Sequence, residues 1–137
     1  AMVPWKDAEH EHIGMKRTMV ADSWEIQILD ALKPKPEDYV IKKHRWNAFH
    51  ATSLELSLRT AGIDTILLCG GSTHIGIAST AFGARDLDFN IVIVSDCCDD
   101  GLEGSQDYWM TRVFPMMARI RTVDQTIEMI KAGVAAS

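Results

Sequence analysis

A chain of 137 residues that is 47% hydrophobic and 24% charged has the makings of one folded domain with one core and leaves little room for a second. A net charge of −5 without a block of arginines and lysines argues against nucleic acid as the main partner. No apolar run approaches the ~20 residues of a membrane span and no charged-then-apolar leader opens the chain, so no membrane partner and a cytoplasmic location are expected.

Residues 1–21 are polar and mixed and carry no period, which predicts an irregular arm. ADSWEIQILDALKPKP then predicts a short helix, with Asp22 and Glu25 as a capping box, Ile28, Leu29 and Leu32 as its apolar set, and Pro34 and Pro36 as its stop. The β-branched run DYVIKKH predicts a strand. ATSLELSLRTAG predicts a helix capped by Thr52 or Ser53, with Leu54, Leu58 and Ala61 at helical spacing and Gly62 at its end.

DTILLCG predicts a buried strand. The helix expected from about residue 74 carries Ile77, Ala81 and Ala84 on one face, beside Gly76, Ala78, Ser79 and Gly83, small residues that let a helix lie close to a sheet. FNIVIVSD predicts the next strand, and YWMTRVFPMMA and RIR a helix and a short strand. The last helix has a capping box in Thr122 and Gln125, an apolar face at Val123, Ile127 and Ile130, and an end at Gly133.

Strands alternating with helices of about a dozen residues predict an α/β fold, a three-layer sandwich whose mostly parallel, Rossmann-like sheet has helices on both faces, in one domain over 1–137. Ligands of such folds sit at the carboxyl ends of the strands, which singles out the turns at 42–49 and 69–76.

Those two turns hold a recognisable series. Lys43 precedes an Arg-x-x-Ala-Phe stretch (Arg45, Ala48, Phe49), then come a Thr-x-Leu helix start (Thr52, Leu54), a strand ending at Gly70, and Thr73 in the turn to the next helix. In this order and spacing they resemble the isochorismatase-like hydrolases, a superfamily that includes cysteine amidohydrolases such as nicotinamidases. The resemblance implies a non-proline cis peptide near Gly71 and Ser72.

Two departures bear on chemistry. Gly76 stands where the amidohydrolases carry their cysteine, which removes the acyl-enzyme route at that atom. The variant His74, Ile75, Gly76 looks like the isochorismatases proper, which cleave a vinyl ether without a covalent intermediate and use an aspartic acid to protonate the substrate. That acid belongs to an N-terminal strand of the type apolar-apolar-Ile-Asp-x-Gln, and no such run precedes Asp22. The expectation is therefore a fragment or processed form, or a place filled by another subunit or by the arm at 1–21.

Each candidate residue carries a plainer alternative. Lys43, and beside it Lys42, reads as a cation for developing negative charge or as a solvated strand-end lysine. Gly70, Gly71, Ser72 and Thr73 read as an anion-holding loop or as a tight strand-to-helix turn. At a helix start the dipole disfavours a cationic His74, which favours neutral hydrogen bonding over acid catalysis. Cys69 reads as a small buried hydrophobe, and Cys97 and Cys98 lie among acids that weaken a nucleophile. Asp96 reads as a turn cap, and His10 and His12 as a solvated arm rather than a metal site.

The sequence reading is thus an isochorismatase-like hydrolase acting on a small anionic molecule by non-covalent acid catalysis. It puts Lys43 and Gly76 in the catalytic site, places Gly71, Ser72, Thr73, His74, Ile75, Arg45 and Phe49 against substrate, and calls for no metal or cofactor. The alternative is a catalytically inactive relative serving as a binding or assembly module. Self-association into a dimer or larger is expected in either case.

Overall fold

The computed structural model describes residues 27–135. It divides into two compact units, Ala1–Val40 and Ile41–Ser137. In the first, the described part holds one 3-10 turn, Asp30–Leu32, in place of the expected helix, and Asp22 and Glu25 lie outside the described residues. Leu29 and Leu32 are both 70% exposed, and a short amphipathic segment with no apolar surface to cover it has little to hold it helical.

The second unit is built on three parallel strands in the order β1-β2-β3: β1 is Thr65–Gly71, β2 is Asn90–Asp99 and β3 is Arg119–Arg121. Helix α1 (Leu54–Thr60) precedes β1, α2 (Ala78–Asp86) joins β1 to β2, the short α3 (Ser105–Tyr108) follows β2, and α4 (Val123–Ala135) follows β3. A π-helical turn, Thr73–Ile77, leads into α2, and another, Trp109–Val113, continues α3. This is an α/β fold with a parallel sheet and helices. No helix among the described residues is long and apolar enough to cross a membrane.

The expected strand at 38–44 does not form, because no strand lies alongside it among the described residues, and Val40 is left exposed. Strand propensity realises nothing without a ladder partner. β1 is also less buried than its run of apolar residues suggests: among the described residues it is an edge strand, with Ile66 and Leu68 packed on the core while Leu67 is 43% exposed.

The core sits between β2 and α2. Ile91 and Ile93 face Ile77, Ala78, Ala81 and Ala84, with Phe89 and Phe114 closing the cluster. The alanines let the helix lie close to the strand, so the close-packed interior is made from small side chains on one side and branched ones on the other. Val92 and Val94 alternate to the opposite face and are also buried, and α4 packs against β2.

Local signals explain the helix ends. Thr52 Oγ1 accepts from the Leu54 N–H at 3.3 Å, and Gly62, at φ +68°, ends α1 with the Ile63 N–H on the Leu58 carbonyl. The capping box of α4 is reciprocal: the Gln125 N–H donates to Thr122 Oγ1 at 3.3 Å and the Thr122 N–H to Gln125 Oε1 at 3.1 Å. Asp96 adds to it by accepting from the Val123 N–H at 2.9 Å, so its role is a cap. α4 runs on past Gly133 to Ala135, and its Ile127 and Ile130 are exposed.

Candidate active site at the carboxyl ends of β1 and β2

β1 and β2 are parallel and Gly71 pairs with Asp99, so the turn after each strand opens on the same side of the sheet. The β1 turn contains a cis peptide, Gly71-Ser72, after Gly70 at φ +118°, a conformation glycine reaches without a Cβ clash. The chain then enters the π turn, where the Ser72 carbonyl accepts from the Ile75, Gly76 and Ile77 N–H groups at 3.2, 2.9 and 3.2 Å.

From the β2 side comes Asp100, whose carboxylate is fully buried. Oδ1 lies 2.5 Å from His74 Nδ1 and accepts from Ser72 Oγ and the Leu102 N–H at 3.4 Å each. Oδ2 accepts from the His74 N–H at 3.1 Å and from Ser105 Oγ at 2.7 Å. Burial alone raises this carboxyl, but the bonds from Ser105, His74 and the Leu102 N–H outweigh it, and the net effect holds Asp100 below the usual carboxylate value. The turn after β1 therefore does hold an anion at its backbone, and that anion is the protein's own side chain.

The predicted site residues fall into three groups. Ser72 and His74 are brought together around Asp100, with Ser72 Oγ 3.1 Å from His74 Nδ1. Thr73 is buried, its hydroxyl donating to Gln106 Oε1 at 2.6 Å, while Ile75 is partly buried and its carbonyl accepts from Ser79 Oγ. A Cβ placed on Gly76 meets only the Gly71 backbone, 3.4 Å from the carbonyl oxygen.

The second group belongs to the loop before α1. Lys43 Nζ donates to the Arg45 and Trp46 carbonyls at 3.0 and 3.3 Å, and Arg45 donates to the His44 carbonyl. This loop is fastened to α2: the Trp46 carbonyl also accepts from Thr80 Oγ1, which itself accepts from the Ala48 N–H, and the Asn47 side chain lies on Gly83. The Phe49 backbone belongs to this loop, its N–H donating to Asn47 Oδ1 at 2.9 Å, but its ring stands apart. It stacks on Phe89 with centroids 5.7 Å apart, next to the amino end of β2 and so at the far end of the strand from His74.

Asp100, Ser105 and Gln106 were not singled out as site residues by the sequence. The signal was available, since residues following one parallel strand face those following its neighbour, and Asp99 and Asp100 close β2. Gln106 also repairs the sheet. Register between β1 and β2 breaks between Leu68 and Gly70, and Gln106 Nε2 donates to the carbonyl of Ser95, in the stretch of β2 without a β1 partner, and to that of Cys98, where pairing resumes opposite Gly70.

All three cysteines are free thiols, and Cys69 is not the buried hydrophobe that the sequence predicts. Cys69 and Cys97 are exposed, and the Cys98 thiol is pushed up to about 11, chiefly by burial, with Cys69, Cys97 and Asp96 adding to the shift and a backbone bond from Gly70 opposing it. No group of three potential metal ligands occurs among the described residues, and His10 and His12 lie outside them. A cavity of about 460 Å³ opens at the other end of the sheet, between Thr65, Asn90, Arg119 and Met117, away from His74.

The model of the isochorismatase domain matches residues 4–125. An isochorismatase family protein of Escherichia coli O157:H7 is 43% identical over 97 residues, covering 71% of this chain and 52% of the relative. Among solved structures, an isochorismatase-like hydrolase from Alkaliphilus metalliredigens aligns with a TM-score of 0.75 at 29% identity, over 79% of this chain and 60% of that one. The N-carbamoylsarcosine amidase of Thermoplasma acidophilum aligns with a TM-score of 0.71, also at 29% identity, over 86% and 66%. The chain spans about half the length of the relatives it matches. With the β1 turn, its cis peptide and the β2 acid in place on a parallel sheet, the chain belongs to the isochorismatase family.

Proposed function

We propose that this chain is the isochorismatase-type part of a hydrolase acting on a small anionic molecule by non-covalent acid catalysis: water takes the scissile carbon and a proton is delivered to the leaving atom. The observation that carries this reading is the pairing of Gly76, which offers no thiolate, with a carboxylate-held histidine two residues earlier on the same turn. Lys43, held by its own loop against α2, supplies positive charge beside the substrate. The N-terminal acid-bearing strand of the family is proposed to come from outside residues 27–137, and self-association belongs to the same reading.

A second reading, an inactive binding or assembly module, is favoured by one observation. The His74, Ile75, Gly76 and Ile77 N–H groups are spent on Asp100 and on the Ser72 carbonyl, so they are not aimed at an external anion. Incubation with isochorismate-like vinyl ethers, nicotinamide, N-carbamoyl amino acids and simple amides separates the two. Turnover that falls in Lys43→Ala supports the hydrolase, and no turnover by the unmodified protein supports the module.

A further inference from the structure

We propose that Asp100 is a positioning residue that locks the His74 ring with its proton on Nδ1, and that Nε2 of His74 is the atom that carries the proton of the hydrolytic step, an assignment that rests on the hydrolase reading above. A carboxylate only accepts, so with Oδ1 at 2.5 Å the hydrogen sits on Nδ1 and the lone pair of the neutral ring is left on Nε2.

The grip is on both parts of one residue. Oδ1 takes the ring and Oδ2 the backbone N–H of His74, while Ser105 and Leu102 hold the carboxylate from its own side. A helix cap needs only the backbone half of this arrangement. The His74 side chain is 26% exposed, and Nε2 has no hydrogen-bond partner among the described residues, so the atom left unpaired is the one able to meet solvent or substrate.

The step balances with water as the only co-reactant. An O–H bond of the attacking water breaks and its proton goes to Nε2, while the water oxygen bonds to the scissile carbonyl carbon and the π pair of that C=O moves onto its oxygen. The C=O then re-forms as the bond from that carbon to the leaving oxygen or nitrogen breaks, the electron pair of the broken bond goes to the leaving atom, and the proton on Nε2 follows it.

Two measurements test this. In protein labelled with nitrogen-15 histidine, long-range proton–nitrogen correlation at mildly alkaline pH is expected to show the His74 ring protonated on Nδ1, with the signals assigned by their loss in His74→Asn. Asp100→Asn is expected to shift the ring toward a tautomer mixture. A His74 ring protonated on Nε2 in the unmodified protein overturns the lock, whether or not Asp100→Asn folds.

The second measurement is turnover of whichever substrate the unmodified protein hydrolyses. In His74→Asn the amide Nδ2 still reaches Asp100 but nothing replaces Nε2. Its kcat is expected to fall roughly 10²–10⁴-fold with KM little changed. Undiminished kcat in a folded His74→Asn overturns the proton-carrying role. No turnover by the unmodified protein defeats the hydrolase reading and with it that role, and the tautomer result still decides the lock.

Discussion

Thr73 and Gln106 are joined by a 2.6 Å hydrogen bond beneath the site, and the same glutamine donates to the Ser95 and Cys98 carbonyls from its other end. One side chain thus ties the β1 turn to the stretch of β2 across which its register with β1 breaks. Thr73→Val is expected to destabilise the fold by about 1–3 kcal/mol, because it leaves the half-buried Gln106 Oε1 without its donor. Gln106→Glu is expected to cost more, since it sets a carboxylate against two carbonyls. Urea midpoints check both, and a Thr73→Val protein as stable as the parent refutes the claim.

Acid should loosen the site through Asp100. Its folded value lies below its unfolded one, so the carboxylate adds stability at pH above the ordinary carboxylate range, and that contribution disappears as pH falls through the lowered value. Urea unfolding at about pH 7 and about pH 3 is expected to show a smaller acid-induced loss in Asp100→Asn than in the parent. Equal losses would mean the carboxylate is not what acid titrates.

Two helical glycines should respond with opposite sign to alanine. At Gly83 an added Cβ runs into the Asn47 side-chain amide, whose Oδ1 already accepts from the Phe49 N–H, so the side chain has to leave a turn it shapes. Gly83→Ala is expected to cost about 1–3 kcal/mol. At Gly76 the Cβ finds ordinary contact with the Gly71 oxygen, and Gly76→Ala is expected to gain about 0.5–1 kcal/mol. Thermal midpoints decide the signs.

Thiol chemistry should follow exposure. Cys69 and Cys97 are expected to react with an aromatic disulfide reagent at about pH 8 well before Cys98, whose thiol is half-buried and stays protonated there. Mass spectrometry of the labelled peptides gives the order, and Cys98 reacting first would count against it.

Self-association should be visible by sedimentation at micromolar concentration as a mass above that of one chain. The exposure of Leu67 on the β1 edge and of Ile127 and Ile130 on α4 favours it. A monomeric mass would remove this part of the proposal.

Much of the second unit was legible because local chemistry decides it. The Thr122 and Gln125 capping box, the Thr52 cap, the left-handed Gly62 and the small-residue face of α2 are all readable within one or two turns of chain. What local reading missed depends on partners. DYVIKKH and the segment at 28–32 have the composition of a strand and a helix but no neighbour among the described residues to make either worthwhile. Asp100 was hidden for a related reason: its meaning comes from standing 26 positions from His74 in sequence and within hydrogen-bonding distance in space.

One carbonyl oxygen, that of Trp46, receives both the Lys43 ammonium and the Thr80 hydroxyl. The cation is thereby tied to the first turn of α2, the helix into which the His74 turn leads. Any change that shifts the Trp46 carbonyl therefore disturbs the ammonium and the anchorage of its loop on that helix together.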